Sequence, residues 1–346
     1  MFVAWRDLRF AKGRFALMGT VVVLMTLLVG LLSGLTAGLA GQSTSAVVGL
    51  NADRLVFSDP GSGSLSFGQS TVTRDQAEQY ARLPGVTSAT PIAIGTVNAG
   101  SGPHAATVST FAVRPDSGLA PEKPGPGAVV LSAGAADKLQ AKTGERITLQ
   151  GRQVTVAAVA GDASYSHLPV VWTDFTGTDA TVLAVTTTDP AALAAADARL
   201  GTRAVSKDAA LSAIGSYTAE NGSLQLMRGF LFAISALVIG AFFTVWTIQR
   251  SRDIAVLKAL GATTRYLLRD ALGQAVLLLV GGTALGTGLA AALGAVASGT
   301  VPFVLSAGTL LGPAAVLVVL GLLGAGLAVR RITSVDPLTA LTSGAH

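Results

Sequence analysis

Three long runs of the chain carry no Asp, Glu, Lys or Arg: Phe15 to Gly41, Gly229 to Gln249, and Ala271 to Val329. A helix that crosses the hydrocarbon of a bilayer needs roughly 20 apolar residues. The first two runs therefore predict one span each. The third is long enough for two, with Pro302 and Pro313 marking the connection because the apolar pattern breaks between Ser298 and Thr309. The pattern predicts transmembrane helices at 15–41, 225–249, 271–298 and 309–329. Around them lie an amphipathic N-terminus at 1–14, a loop with a surface helix at 250–270, an outer loop at 299–308 and a tail at 330–346.

Residues 42–224 read differently, as a water-soluble α+β domain between the first and second spans. Short alternating or apolar runs predict strands at Arg54–Phe57, Val86–Val97, Thr107–Val113, Arg146–Leu149, Gln153–Val159, Val170–Trp172 and Thr181–Thr187. Helices are expected at Asp75–Leu83 with Thr73 as N-cap, Ala133–Gln140, Pro190–Leu200 and Lys207–Thr218. Gly61–Gly68 and Pro115–Gly127 read as loops.

Composition agrees with the membrane class: half of the 346 residues are hydrophobic, 12% are charged and the mean hydropathy is +0.59. The basic start (Arg6, Arg9, Lys12, Arg14) followed by an apolar run and Thr36-Ala37-Gly38-Leu39-Ala40 also resembles a cleavable signal peptide. The run is longer than a signal core of roughly 7 to 15 residues, and three more spans follow, so it is read as a retained helix.

Charge sets the orientation. Lys and Arg gather in the N-terminal segment, in the Arg250–Asp270 loop and at Arg330 and Arg331, all on one side of a four-span chain. That side is expected to be cytoplasmic, with both termini inside the plasma membrane and the inserted domain outside. Residues 42–225 hold 12 basic and 15 acidic residues, so the net charge of +5 arises at helix ends and gives no reason to expect nucleic acid as a partner.

Cysteine is absent, which excludes thiolate metal sites and a cysteine nucleophile. His104 and His167 stand far apart, with no clustered carboxylates, so neither a metal site nor a Ser/His/Asp arrangement has support and no catalytic residue is assigned. The Ser164–Trp172 stretch around His167 reads equally as a turn leading into a buried strand. No Gly-x-x-x-x-Gly-Lys-Ser/Thr occurs, so ATP is expected on a separate subunit. Gly281–Gly288 is glycine-rich but lies inside the third span, where small residues let helices approach closely.

The loop after the second span reads Gln249-Arg250-Ser251-Arg252-Asp253-Ile254-Ala255-Val256-Leu257-Lys258-Ala259-Leu260-Gly261-Ala262-Thr263. Ile254, Leu257 and Leu260 fall at helical spacing, predicting a short amphipathic helix at the membrane surface ended by Gly261. This order, the one-plus-three spans and the tail Arg331-Ile332-Thr333-Ser334-Val335-Asp336-Pro337-Leu338-Thr339-Ala340-Leu341 resemble the type VII ATP-binding-cassette permeases, the family of the cell-division and macrolide-export permeases. The resemblance implies a dimer of this chain in the lipid bilayer with two ATPase subunits. It also implies that Arg250, Arg252, Asp253, Ile254, Leu257, Lys258, Leu260 and Gly261 couple to the ATPase.

Within that family, three stretches look like the haem-exporting permeases of Gram-positive bacteria: Tyr165–Trp172, Trp5–Phe10 and Ser216–Arg228. A haem would be cargo, with no intrinsic cofactor. It would need an apolar slot, an axial ligand and a cation for its propionates. Glu220, Met227 and Tyr217 are candidate ligands, Arg228 a candidate propionate partner, Met18 and Met25 alternatives, and Leu31, Leu35 and Phe230 candidate walls of a groove between two copies. Haem iron is the one metal these residues would meet. Two other readings stay open: export of a lipid, lipoprotein or peptide, and a mechanotransmission permease that regulates a cell-wall hydrolase.

Overall fold

A computed structural model describes residues 12–249, 256 and 263–333. The proposed coupling residues Arg250, Arg252, Asp253, Ile254, Leu257, Lys258, Leu260 and Gly261, the start at 1–11 and the tail at 334–346 lie outside the described residues. The chain divides into two units, residues 39–222 and the remainder.

Most residues of the helices long and apolar enough to cross a membrane belong to the second of these. These helices are α1 (Lys12–Val48), α6 (Gly215–Gln249), α7 (Thr264–Ala297) and α8 (Ala307–Thr333). By length and composition the stretches that qualify as spans are Ala16–Val48, Gly215–Gln249, Leu272–Ala297 and Ala307–Leu327. Helices suit these sequences because hydrocarbon offers no partner to a free backbone N–H or C=O. Several of their hydroxyls follow the same rule: Thr26, Ser235, Thr247 and Thr283 each donate to the carbonyl four residues earlier. Pro302 lies in the connection, as expected, whereas Pro313 sits inside α8, which begins at Ala307. The loss of one intrahelical donor is tolerated there, as it commonly is in membrane helices.

The helices meet through small residues. A Cβ added at Gly282 would come within 2.8 Å of Val22, and one at Gly286 within 2.7 Å of both the Val23 carbonyl oxygen and Thr26. Gly281 and Gly288 have open space instead. Gly282 and Gly286 thus form a small-x-x-x-small face on α7 against which α1 lies. Farther out, Phe303 of the connection fills the room left by Gly34 on α1 and Gly294 on α7, and the Val304 N–H donates to the Gly34 carbonyl at 3.1 Å. Toward the other end, Met18, Val22, Ile239, Phe243, Ala275, Leu279 and Ala325 form one buried cluster drawn from all four helices.

Residues 39–222 build a β-rich domain. Its elements are β1 (Arg54–Ser58), α2 (Arg74–Ala81), β2 (Val86–Ser101), β3 (His104–Val113), β4 (Ala128–Leu131), α3 (Ala133–Leu139), β5 (Arg146–Leu149), β6 (Arg152–Val159), β7 (Ser164–Tyr165), β8 (Leu168–Asp174), β9 (Val182–Thr187), α4 (Pro190–Leu200), β10 (Thr202–Ser206) and α5 (Lys207–Ala210). One sheet runs β10-β1-β9-β2-β3-β8-β4-β6-β5, and β5 pairs again with β2, closing β2, β3, β8, β4, β6 and β5 into a ring. Most pairings are antiparallel; β3–β8 and β4–β6 are parallel. Long β2 can serve both the open sheet and the ring because its first residues pair with β9 and its last with β5.

Local chemistry explains the short helices. Thr73 caps α2, accepting from the Gln76 N–H at 3.3 Å, while Gln76 Oε1 accepts from the Thr73 N–H at 2.8 Å, a reciprocal capping box. The expected single helix Lys207–Thr218 is instead three pieces: α5, a 3-10 turn at Leu211–Ala213, and α6 from Gly215. Ile214 breaks it by taking an extended conformation and burying its side chain in the main core. Strands β4, β7 and β10 form where no strand was expected. Conversely, α1 does not end near Gly41 but continues as one helix to Val48.

Candidate functional site

The sequence around His167 folds as a two-residue hairpin. Ser164 pairs with Pro169 and Tyr165 with Leu168, leaving Ser166 and His167 as the turn with φ of 50° and 63°. Positive φ at both central positions is the type I′ turn, whose twist suits a hairpin but which favours Asn and Gly. A left-handed conformation costs an ordinary L-residue about 1–2 kcal/mol. Such strain persists only where the surroundings over-determine it.

The surroundings do so here. On one side lie the last turns of α1: the Ser166 N–H donates to the Ser43 carbonyl and the His167 N–H to the Gln42 carbonyl, each at 3.1 Å. Ser45 Oγ accepts from the Ser164 N–H at 2.8 Å and donates to its carbonyl at 3.2 Å. On the other side lie the first turns of α6. Ser166 and Ser216 share a hydroxyl hydrogen bond of 2.9 Å. His167 Nε2 stands 3.0 Å from both carboxylate oxygens of Glu220 and 2.9 Å from Ser43 Oγ. All these groups belong to residues 39–222.

The donor count assigns the proton. A carboxylate only accepts, so Nε2 carries a hydrogen directed at Glu220, with Ser43 Oγ as a second acceptor. That rules out a serine-nucleophile triad, which needs the acid on the opposite ring nitrogen and a free Nε2 facing the serine. Ser43 is also 1% exposed. The cluster is a clamp, and its one charged oxygen pair, Glu220, remains 44% exposed.

Below the turn, Tyr165 enters the core. Its ring stacks edge-on with Phe67 and Phe111, and Phe111 in turn touches Trp172. Burial pushes the Tyr165 phenol up to about 12. Tyr165 and Trp172 therefore serve packing, the buried-strand alternative for this stretch. Tyr217 also lies against this core, partly buried.

The other candidates fall on the membrane helices. Along α6, Met227, Phe230, Ile234 and Leu237 recur at helical spacing and are exposed, Leu237 at 74%. Arg228 is half-buried and donates to Gln225 Oε1 one turn back. Met25, Leu31 and Leu35 are half-buried on α1, while Met18 is in the four-helix cluster. Glu220 and Met227 are seven residues apart in the sequence of α6. Among the described residues no group of three His, Cys, Asp or Glu is placed to hold a metal ion. What sequence reasoning missed is Ser43: a serine near the end of a helix, 124 residues from His167, carries no local signal.

The chain is similar to known proteins. The model of the MacB-like periplasmic core domain matches residues 18–203, and that of the FtsX-like permease C-terminal matches 226–337. A putative hemin transport system permease protein of Staphylococcus haemolyticus is 27% identical over 355 residues, covering 99% of this chain and 99% of its own. An uncharacterized ABC transporter permease of Mycobacterium bovis is 25% identical over 355 residues, covering 98% and 99%. The crystal structure of the periplasmic region of MacB from Actinobacillus actinomycetemcomitans is 12% identical, covers 47% of this chain and 92% of that one, and has a TM-score of 0.37. With four membrane helices and a β-rich extracytoplasmic domain inserted after the first, the chain belongs to the family of the MacB-like periplasmic core domain and is an ABC transporter permease of the MacB/FtsX type.

Proposed function

We propose that this permease exports haem from the membrane, driven by ATP hydrolysed on a separate ATPase subunit. The observation that carries the reading is the outer part of α6, where an exposed carboxylate, Glu220, heads an exposed apolar stripe of Met227, Phe230, Ile234 and Leu237. A flat apolar cargo with a Lewis-acidic metal and acidic edges asks for such a combination: an oxygen or thioether donor, apolar walls and a nearby cation, for which Arg228 stands one residue after Met227. The full-length relatives named as putative hemin transport permeases support the same substrate.

In this reading two copies of the chain face each other through α1 and α6. Met25, Leu31, Leu35 and Phe230 line a groove open to the outer leaflet, and closure driven by two ATPase subunits expels the cargo. The termini and the loop at 250–270 lie on the cytoplasmic side, where Lys and Arg are concentrated. The test is a haemin titration of the purified full-length protein, followed at the Soret band. Glu220→Ala combined with Met227→Ala is expected to weaken binding at least tenfold; unchanged binding removes the proposed site.

A further inference from the structure

Glu220 has two partners to choose between if it ligates cargo. Both of its oxygens stand 3.0 Å from His167 Nε2, so the inner lone pairs of the carboxylate, the ones carboxylates prefer to offer a metal, already face the imidazole. The same Nε2 also stands 2.9 Å from Ser43 Oγ, and Ser43 is buried. The carboxylate is the open partner, with 44% of its side chain exposed.

The ties on the turn are unequal. Toward α1 the hairpin is held by both turn N–H groups, by Ser43 and by the two bonds of Ser45. Toward α6 the turn is held by the hydrogen bonds of Glu220 and of Ser216, among others of that helix's own residues. Losing the Glu220 bond would loosen the hold of the strained turn on the start of α6, leaving the Ser166–Ser216 bond there, while the turn stays seated on α1.

We infer that the Glu220–His167 pair is a latch that arriving cargo opens: iron and imidazole compete for one carboxylate, so occupancy of the site is passed to the extracytoplasmic domain as a loosened grip of the β7–β8 turn on α6. This inference rests on the haem reading of Glu220 given above. It assigns to His167 an action opposite to that of a residue that orients a ligand. An orienting residue strengthens binding, and a competing one weakens it.

The sign of the effect is the test. His167→Asn keeps a residue tolerant of the left-handed conformation, so the turn still folds, but its shorter side chain cannot reach Glu220. His167→Gln keeps an N–H at about the reach of Nε2. In a haemin titration of the full-length protein in nanodiscs, His167→Asn is expected to bind about 3- to 10-fold tighter than the parent, and His167→Gln within twofold of it. Equal or weaker binding by His167→Asn overturns the latch, as does tighter binding by both variants. Glu220→Ala separates the two levels. If it leaves haemin binding intact, the haem reading of Glu220 fails. If it abolishes binding while His167→Asn fails to tighten it, only the latch fails.

Discussion

Gly286→Ala and Gly288→Ala differ by two positions on the same helix and are expected to have opposite effects on stability. Each exchange removes backbone freedom from the unfolded chain and improves helix propensity, a gain of roughly 0.5–1 kcal/mol in a soluble helix. At Gly288 nothing stands within 4 Å of the new methyl, so the gain should survive. At Gly286 the methyl would sit 2.7 Å from the Val23 carbonyl oxygen and from Thr26 Cβ. Ordinary carbon contacts need about 3.5–4.0 Å. Relief therefore demands that α1 and α7 separate by nearly 1 Å, and a flexible side chain cannot yield because one obstacle is backbone. Overpacking of this kind typically costs about 1–3 kcal/mol. The neighbouring contacts at Gly282 and Gly30 would loosen with it. Unfolding of the full-length protein in mixed micelles at increasing denaturant should show Gly286→Ala about 1–2 kcal/mol less stable than the parent and Gly288→Ala equal or more stable. Equal stabilities for the two variants would refute the assignment of Gly282 and Gly286 as the crossing face.

Other outcomes follow from the extracytoplasmic domain. Asp197 accepts from Tyr80 and from Thr202 Oγ1 at 3.0 Å through one oxygen, and from the Ala204 N–H at 2.9 Å through the other. Asp197→Ala strands these donors and should cost about 2–4 kcal/mol in chemical denaturation, with Asp197→Asn losing less. The Tyr165 phenol, raised by burial to about 12, keeps its proton after an unfolded tyrosine near 10 has lost it. The folded state then binds more protons, so stability should fall by up to about 2.7 kcal/mol as pH rises from 10 to 12. Tyr165→Phe should flatten that fall, and absorbance at 295 nm reports the late ionisation directly. Lys207 Nζ donates to the Val48 and Leu50 carbonyls at 3.1 and 2.8 Å, closing the end of α1. Lys207→Met should raise amide exchange in the last turn of α1 and destabilise by about 0.5–1 kcal/mol.

The spans were legible because a membrane imposes a one-dimensional rule, an uncharged stretch of fixed length, that needs no knowledge of neighbours. The capping box at Thr73 and Gln76 was half legible, since Thr73 could be named as a cap from local spacing. Strand β4 was not legible. Ala128-Val129-Val130-Leu131 is a four-residue apolar run paired in parallel to one neighbour and antiparallel to another, and buried strands of that kind lack the alternation that marks a half-exposed strand. The break at Ile214 depends on a tertiary pocket, so helix propensity alone ran Lys207–Thr218 together. At the candidate site Glu220 stood out as an acid near an apolar span, yet its partner His167 is 53 residues away and Ser43 lies 124 from His167. Such pairs are set by hairpin register and helix phase, which local sequence does not encode.

The pairing of β1 with β9 and β10 has a further consequence, in the timing of biosynthesis. Leu55, Val56 and Phe57 emerge early, but both partner strands follow roughly 120 residues or more later. At synthesis rates of about 5–20 residues per second, that apolar segment waits on the order of 6 to 25 s outside the membrane before its ladder can form. Leu55, Val56 and Phe57, fully enclosed in the finished fold, are for that interval open to aggregation and proteolysis.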